Sequence, residues 1–163
     1  MATTRKKAMS KLTKPAGRVT KTASRKPAIA ALVSTIVQEE IFDAAPMDVY
    51  EALVEPRLHA AFTGSPVTGD PVEGSAFTAW DGYIRGTHER LVPGARIVQA
   101  WRTTEFPAAH ADSRLEIELR PVAGGKTRLR LTHTGVPQKQ AKQYETGWVD
   151  HYWAPLRQYF KRS

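Results

Sequence analysis

Between Arg114 and His133 apolar and polar residues alternate, and this pattern restricts the fold more than any other stretch of the chain. Leu115, Ile117 and Leu119 alternate with Arg114, Glu116, Glu118 and Arg120; after Ala123-Gly124-Gly125, Leu129 and Leu131 alternate with Arg128, Arg130 and Thr132. Successive side chains of a strand point to opposite faces, so the pattern predicts an antiparallel hairpin with one dry and one wet face. Only a register of the right parity brings the aliphatic side chains together. That register sets Glu116 and Glu118 across from, or diagonal to, Arg128 and Arg130, each pair contributing about 0.2–1 kcal/mol. His133 falls on the aliphatic face.

Turns recur about every ten residues upstream, as in an antiparallel meander. Asp81-Gly82 joins Phe77–Trp80 to Tyr83–Val92. A two-residue turn there tolerates positive φ and pairs Trp80 with Tyr83, Ala79 with Ile84 and Phe77 with Gly86. Phe77, Ala79, Ile84, Gly86 and His88 then share one face, assigned to the interior, and Thr78, Trp80, Tyr83, Arg85 and Thr87 the other. Pro93-Gly94 turns the chain into Arg96–Thr104, where both faces carry apolar residues and parity leaves the direction of Trp101 open. An opening strand is expected at Thr35–Phe42, with Val37, Glu39 and Ile41 taken as its apolar face. Two short helices follow. Pro46 suits a first turn, Val49, Tyr50, Leu53 and Val54 have helical spacing, and Pro56 ends the run; Arg57–Phe62 is then closed by Gly64 and Pro66.

From Gln138 to Phe160 the residues Ala141, Tyr144, Trp148, Tyr152, Leu156 and Tyr159 recur at steps of three or four. The spacing predicts one long helix with an aromatic face. Gly147 inside it points to close backbone approach to the sheet, and Pro155 predicts a kink near Tyr152. The pieces assemble into an α+β domain over residues 34–163, an antiparallel sheet packed against a long C-terminal helix.

The charge lies elsewhere. Of 24 Lys and Arg, nine (Arg5, Lys6, Lys7, Lys11, Lys14, Arg18, Lys21, Arg25, Lys26) fall in residues 1–33, which hold no acid and no aromatic residue. Such a segment buries too little apolar surface to offset its ordering entropy, so a disordered basic tail is expected. It can bind nucleic acid non-specifically through phosphates, serve as a targeting segment, or act only as a solvated extension. The absence of Cys excludes a disulfide framework, thiolate metal sites and a thiol nucleophile. The longest apolar run, Ala28–Val33, is too short to span a bilayer, so a soluble cytoplasmic protein is expected.

Phe62-Thr63-Gly64, Asp81-Gly82-Tyr83-Ile84 with Gly86, Trp101-Arg102, His133-Thr134-Gly135-Val136-Pro137 and Gly147-Trp148 with Tyr152-Trp153 and Leu156 resemble the SRPBCC (START-like) superfamily. Within it they are most similar to proteins like the C-terminal domain of the activator of heat shock protein 90 ATPase. The resemblance covers roughly residues 35–160. It implies a helix-grip fold whose sheet and last helix enclose a pocket that holds hydrophobic small molecules in some relatives. It also implies a possible chaperone partner and a place in the stress response.

No catalytic constellation is present. The histidines show no His-x-x-x-His or His-Glu-x-x-His spacing, and no glycine-rich phosphate loop occurs, so neither metal nor cofactor is expected. The polar groups able to orient a bound molecule are His88, His133, Gln99 or Arg102 and tyrosine hydroxyls of the last helix. Phe62, Phe77, Ile84, His88, Trp101, Ile117, His133, Trp148 and Tyr152 are the expected lining of an apolar ligand site. Three functions follow: a carrier or sensor of a hydrophobic small molecule, a chaperone-directed interaction module, or a nucleic-acid-associated protein attached through its tail.

Overall fold

A computed structural model describes residues 32–162, so the nine basic side chains from Arg5 to Lys26, and the tail reading built on them, lie outside the described residues. The chain enters strand β1 (Val33–Phe42), then helices α1 (Pro46–Val54) and α2 (Pro56–Thr63). Strands β2 (Ala76–Ala79), β3 (Ile84–Val92), β4 (Arg96–Thr103), β5 (Ser113–Val122) and β6 (Lys126–Pro137) follow. A short 3₁₀ turn leads into α3 (Ala141–Trp148), a π-helical segment (Val149–Trp153) and α4 (Ala154–Arg162). The strands form one open antiparallel sheet in the order β1-β6-β5-β4-β3-β2. The C-terminal helices pack on one of its faces, an α+β helix-grip arrangement.

Local chemistry explains these boundaries. Pro46 and Pro56 each occupy a first turn, where a missing N–H costs nothing, and Gly64 closes α2 at φ 77°, a left-handed conformation that suits glycine. The predicted register holds at β2–β3 for Ala79 with Ile84 and Phe77 with Gly86, but Trp80 and Tyr83 lie in the turn and not in the ladder. Gly86 is required there, because a Cβ would lie 1.9 Å from the Ala100 carbonyl oxygen and 2.9 Å from the Phe77 ring. Pro155 cannot donate into the helix, and the turn before it widens: the Ala154 N–H donates to the Val149 carbonyl, five residues back.

Along β5 and β6 the inner face is Leu115, Ile117, Leu119, Leu129, Leu131 and His133, all buried. Glu118 lies opposite Arg130. The ion pairs nonetheless form elsewhere: Arg130 bonds Glu39 of β1 at 2.7 Å, and Glu116 takes Arg96 of β4 at 2.6 Å as well as Arg114 of its own strand. Trp101 points inward and is buried.

Three expectations are corrected. The inner face of β1 is Ile36, Gln38, Glu40 and Phe42, while Val37 and Ile41 are 48% and 44% exposed. The polar members of that inner face tie down the C-terminal helices. Trp153 Nε1 donates to Gln38 Oε1 at 2.7 Å, Gln38 Nε2 donates to the Glu145 carbonyl at 2.9 Å, and Arg157 donates to Glu40 at 2.6 Å. Trp80, expected on the outer face, adopts φ 52°. This left-handed residue breaks the alternation and brings its indole 5.4 Å from the His151 ring on the helix side. Gly147 makes no close approach, for a Cβ there would meet nothing within 4 Å.

Candidate functional site

The sheet and the C-terminal helices meet over a packed aromatic interior. Trp101 contacts His133 (ring centroids 4.6 Å), Tyr144 (5.5 Å) and Trp148 (5.9 Å), and Trp148 stacks on Trp153 at 5.5 Å. What stays open is a cavity of about 30 Å³ among α1, α2, the 67–69 segment, the sheet and the last helix. Phe77, Ile84, His88, Trp101, Ile117, Trp148 and Tyr152 line it. Phe62 and His133 do not. Phe62 stacks on His59 at 5.3 Å, and His133 sits behind Trp101 and Trp148.

The hydrogen bonds around His133 form a closed chain. Trp148 Nε1–H donates to His133 Nδ1 at 3.3 Å, which leaves the proton of the neutral ring on Nε2. That nitrogen faces Ser113 Oγ at 2.8 Å, and Ser113 Oγ in turn donates to the Trp101 carbonyl at 2.8 Å. Every donor has an acceptor. A second proton on His133 would confront the Trp148 N–H, and burial itself lowers the pKa to about 3. His133 is therefore neutral, with both ring nitrogens already used.

His59 of α2, absent from the expected site, forms the second chain. Its Nε2 lies 3.0 Å from the Tyr152 hydroxyl, and a hydrogen bond to the Leu53 backbone occupies the ring as well. Burial lowers the His59 pKa to about 4, opposed by the Leu53 bond and reinforced by nearby His88. The Tyr152 hydroxyl is pushed up by burial while accepting a hydrogen bond from Trp80. Both groups stay neutral, so Tyr152 donates to His59. A third pair, Thr103 Oγ1 and the Tyr144 hydroxyl at 2.6 Å, closes the far end of the helix–sheet contact.

His88 differs from these. Gln99 Nε2 donates to its Nδ1 at 3.3 Å, and its ring stacks on Phe77 at 4.9 Å. Its Nε2 has no protein partner among the described residues, and burial lowers its pKa. Beside it, Gln99 Oε1 also faces the cavity region without a protein partner among the described residues. Arg102, the alternative to Gln99, points away and binds Asp112 at 2.9 Å and the His110 carbonyl. Among the described residues no three His, Asp or Glu side chains gather as a metal site, and no helix is long and apolar enough to cross a membrane.

Residues 43–161 match the family described as Activator of Hsp90 ATPase homolog 1-like protein. The chain is 31% identical over 127 residues to the Activator of 90 kDa heat shock protein ATPase homolog of Dictyostelium discoideum, covering 78% of this chain and 32% of that relative. It is 28% identical over 141 residues to the Activator of 90 kDa heat shock protein ATPase homolog 1 of Homo sapiens, covering 86% of this chain and 41% of that protein. The chain spans 32% and 41% of the lengths of these curated relatives. The crystal structure of an HSP90 activator from Plasmodium falciparum shares the fold, with a TM-score of 0.72 at 18% identity over 78% of this chain and 96% of that one.

Proposed function

This chain belongs to the family of Activator of Hsp90 ATPase homolog 1-like proteins, and on that footing we propose that its folded part is an interaction domain acting on a chaperone of the Hsp90 class. The observation that carries this reading is the closed interior. A cavity of about 30 Å³ has room for about one or two water molecules, whereas small-molecule sites occupy about 300–1,000 Å³. Trp101, Trp148 and Tyr152 fill the space between sheet and helix that a cargo would need. The fold then serves to present a surface. Mixing the full chain with a purified Hsp90-class chaperone is expected to give saturable binding and a changed rate of ATP hydrolysis. Absence of both overturns the reading.

A second reading has one observation in its favour: seven of the nine expected site residues converge on the cavity, and His88 Nε2 is unused there. It is a carrier of a small hydrophobic molecule that must widen the cavity to enter. Native and denaturing mass spectra separate the two. An added mass that is lost on denaturation supports the carrier, and a clean mass with no stabilisation by lipids or aromatic compounds supports the interaction domain.

A further inference from the structure

Two backbone features carry a conformational cost, and both face one cleft. Gly147 interrupts α3 although a Cβ there would meet nothing within 4 Å. Trp80 holds φ 52° at the end of β2, a conformation that bulky side chains rarely adopt. Backbone strain and bare backbone of this kind concentrate where something binds. The cleft lies between the β2–β3 turn and the last helices. Its two adjoining halves, about 260 and about 340 Å³, share Tyr83 and His151 as walls. Trp80 closes the first half; Gly147, Gln143 and Asp150 line the second.

The chemistry of these walls selects an occupant. Trp80, Tyr83 and His151 wall the first half with aromatic rings, and a cation is attracted to the face of a tryptophan or tyrosine ring. Asp150 is exposed and forms no ion pair among the described residues. Glu105, held by Tyr83 at 3.2 Å and by Gln143 at 2.8 Å, adds a second carboxylate behind the Tyr83 ring. Gly147 leaves the helix surface flat, so an extended backbone can lie against it. Gln143 Nε2 also donates to the Tyr83 hydroxyl at 3.3 Å, which fixes that wall in place.

We propose that this cleft is the docking surface for an extended segment of a partner protein, and that it receives a lysine or arginine side chain between Trp80, Tyr83 and His151 with its charge toward Asp150. The assignment to a protein partner rests on the interaction-domain reading above. The cleft itself is testable without that partner.

In the full chain, titration with an acetylated, amidated Gly-Arg-Gly peptide is followed by the Trp80 indole N–H and the Gly147 amide in ¹H–¹⁵N spectra. Shifts at both are expected, absent for the matching citrulline peptide and weakened about tenfold or more in Asp150→Asn. Equal shifts with citrulline, or shifts confined to other residues, overturn the site. With an Hsp90-class chaperone, Gly147→Leu and Asp150→Lys are each expected to reduce affinity at least tenfold at an undiminished melting temperature. Unchanged affinity overturns the docking assignment, as does self-association that Gly147→Leu abolishes. If the unmodified chain does not bind the chaperone, the interaction-domain reading fails while the peptide titration still decides the cleft.

Discussion

Mild acid should destabilise this domain before its carboxylates titrate, because two histidines are buried in hydrogen-bond chains that admit only the neutral ring. His133 has its pKa lowered to about 3 and His59 to about 4, against an ordinary value of about 6.5 in the unfolded chain. Both folded values are depressed, so near pH 5 the unfolded chain binds about two more protons at these sites than the folded one, and stability falls as pH falls; buried His88, also depressed, adds in the same direction. The slope approaches about 1.4 kcal/mol per pH unit for each histidine. From pH 7 to pH 5 the loss is about 2 kcal/mol at each site and about 4 kcal/mol together, a large share of a typical 5–15 kcal/mol total. Glu116 adds little in this window: burial pushes its pKa up, but Arg114 and Arg96 pull it net below the usual carboxylate value. Urea unfolding at half-unit steps from pH 7.5 to 5 measures the slope. His133→Gln keeps an acceptor for Trp148 and a donor for Ser113 but cannot titrate, so the pH 7 to 5 loss should shrink by about 2 kcal/mol whatever its stability at pH 7. Parallel slopes for the two proteins, or no slope, would refute the neutral, sealed His133.

Gly147→Ala should raise stability by about 0.5–1 kcal/mol and the melting temperature by about 2–4 °C, since the added methyl meets nothing and the helix interior gains a better former. A loss by calorimetry would mean that the sheet does approach there. Gly86→Ala should behave in the opposite way, because its Cβ would lie 1.9 Å from the Ala100 carbonyl oxygen; a cost above about 3 kcal/mol, or failure to fold, is expected by denaturant titration. Ser113→Ala leaves His133 Nε2–H and the Trp101 carbonyl without their shared hydroxyl, for an expected loss of about 1–3 kcal/mol; a neutral result in chemical denaturation contradicts the closed chain.

The parts of the fold that could be read from the sequence are those whose cause is local. The β5–β6 hairpin follows from its period of two, and the β2–β3 register from Asp81-Gly82, whose φ values of 55° and 88° suit the tight turn. The first strand was misjudged because the partners that make Gln38 and Glu40 inward-facing, Trp153 and Arg157, lie more than a hundred residues downstream. His59 was overlooked for a similar reason. Its α2 segment has little more than two turns of pattern, and Tyr152, which gives the ring its role, is 93 residues away. Trp80 obeyed the alternation rule until a single left-handed φ moved it across. Gly147 shows a limit of another kind: a helical glycine looks the same in sequence whether a neighbouring backbone presses on it or open space lies beyond it.

The same contrast separates the interior from the surface. Inside, aromatic side chains occupy the helix–sheet space, and the chains through His133, His59 and Thr103 pair donors with acceptors, leaving His88 Nε2 and Gln99 Oε1 without partners among the described residues beside about 30 Å³ of room. An interior so filled has few unsatisfied groups with which to select a cargo, and opening it exposes apolar surface at about 25 cal/mol per Å². Outside, a helix accepts a glycine that no neighbour packs against, and a strand end accepts a left-handed φ at a tryptophan whose indole packs on His151 and donates to Tyr152. A bare helix face, aromatic walls and an exposed Asp150 with no ion pair among the described residues meet at one cleft, as the proposed docking surface requires.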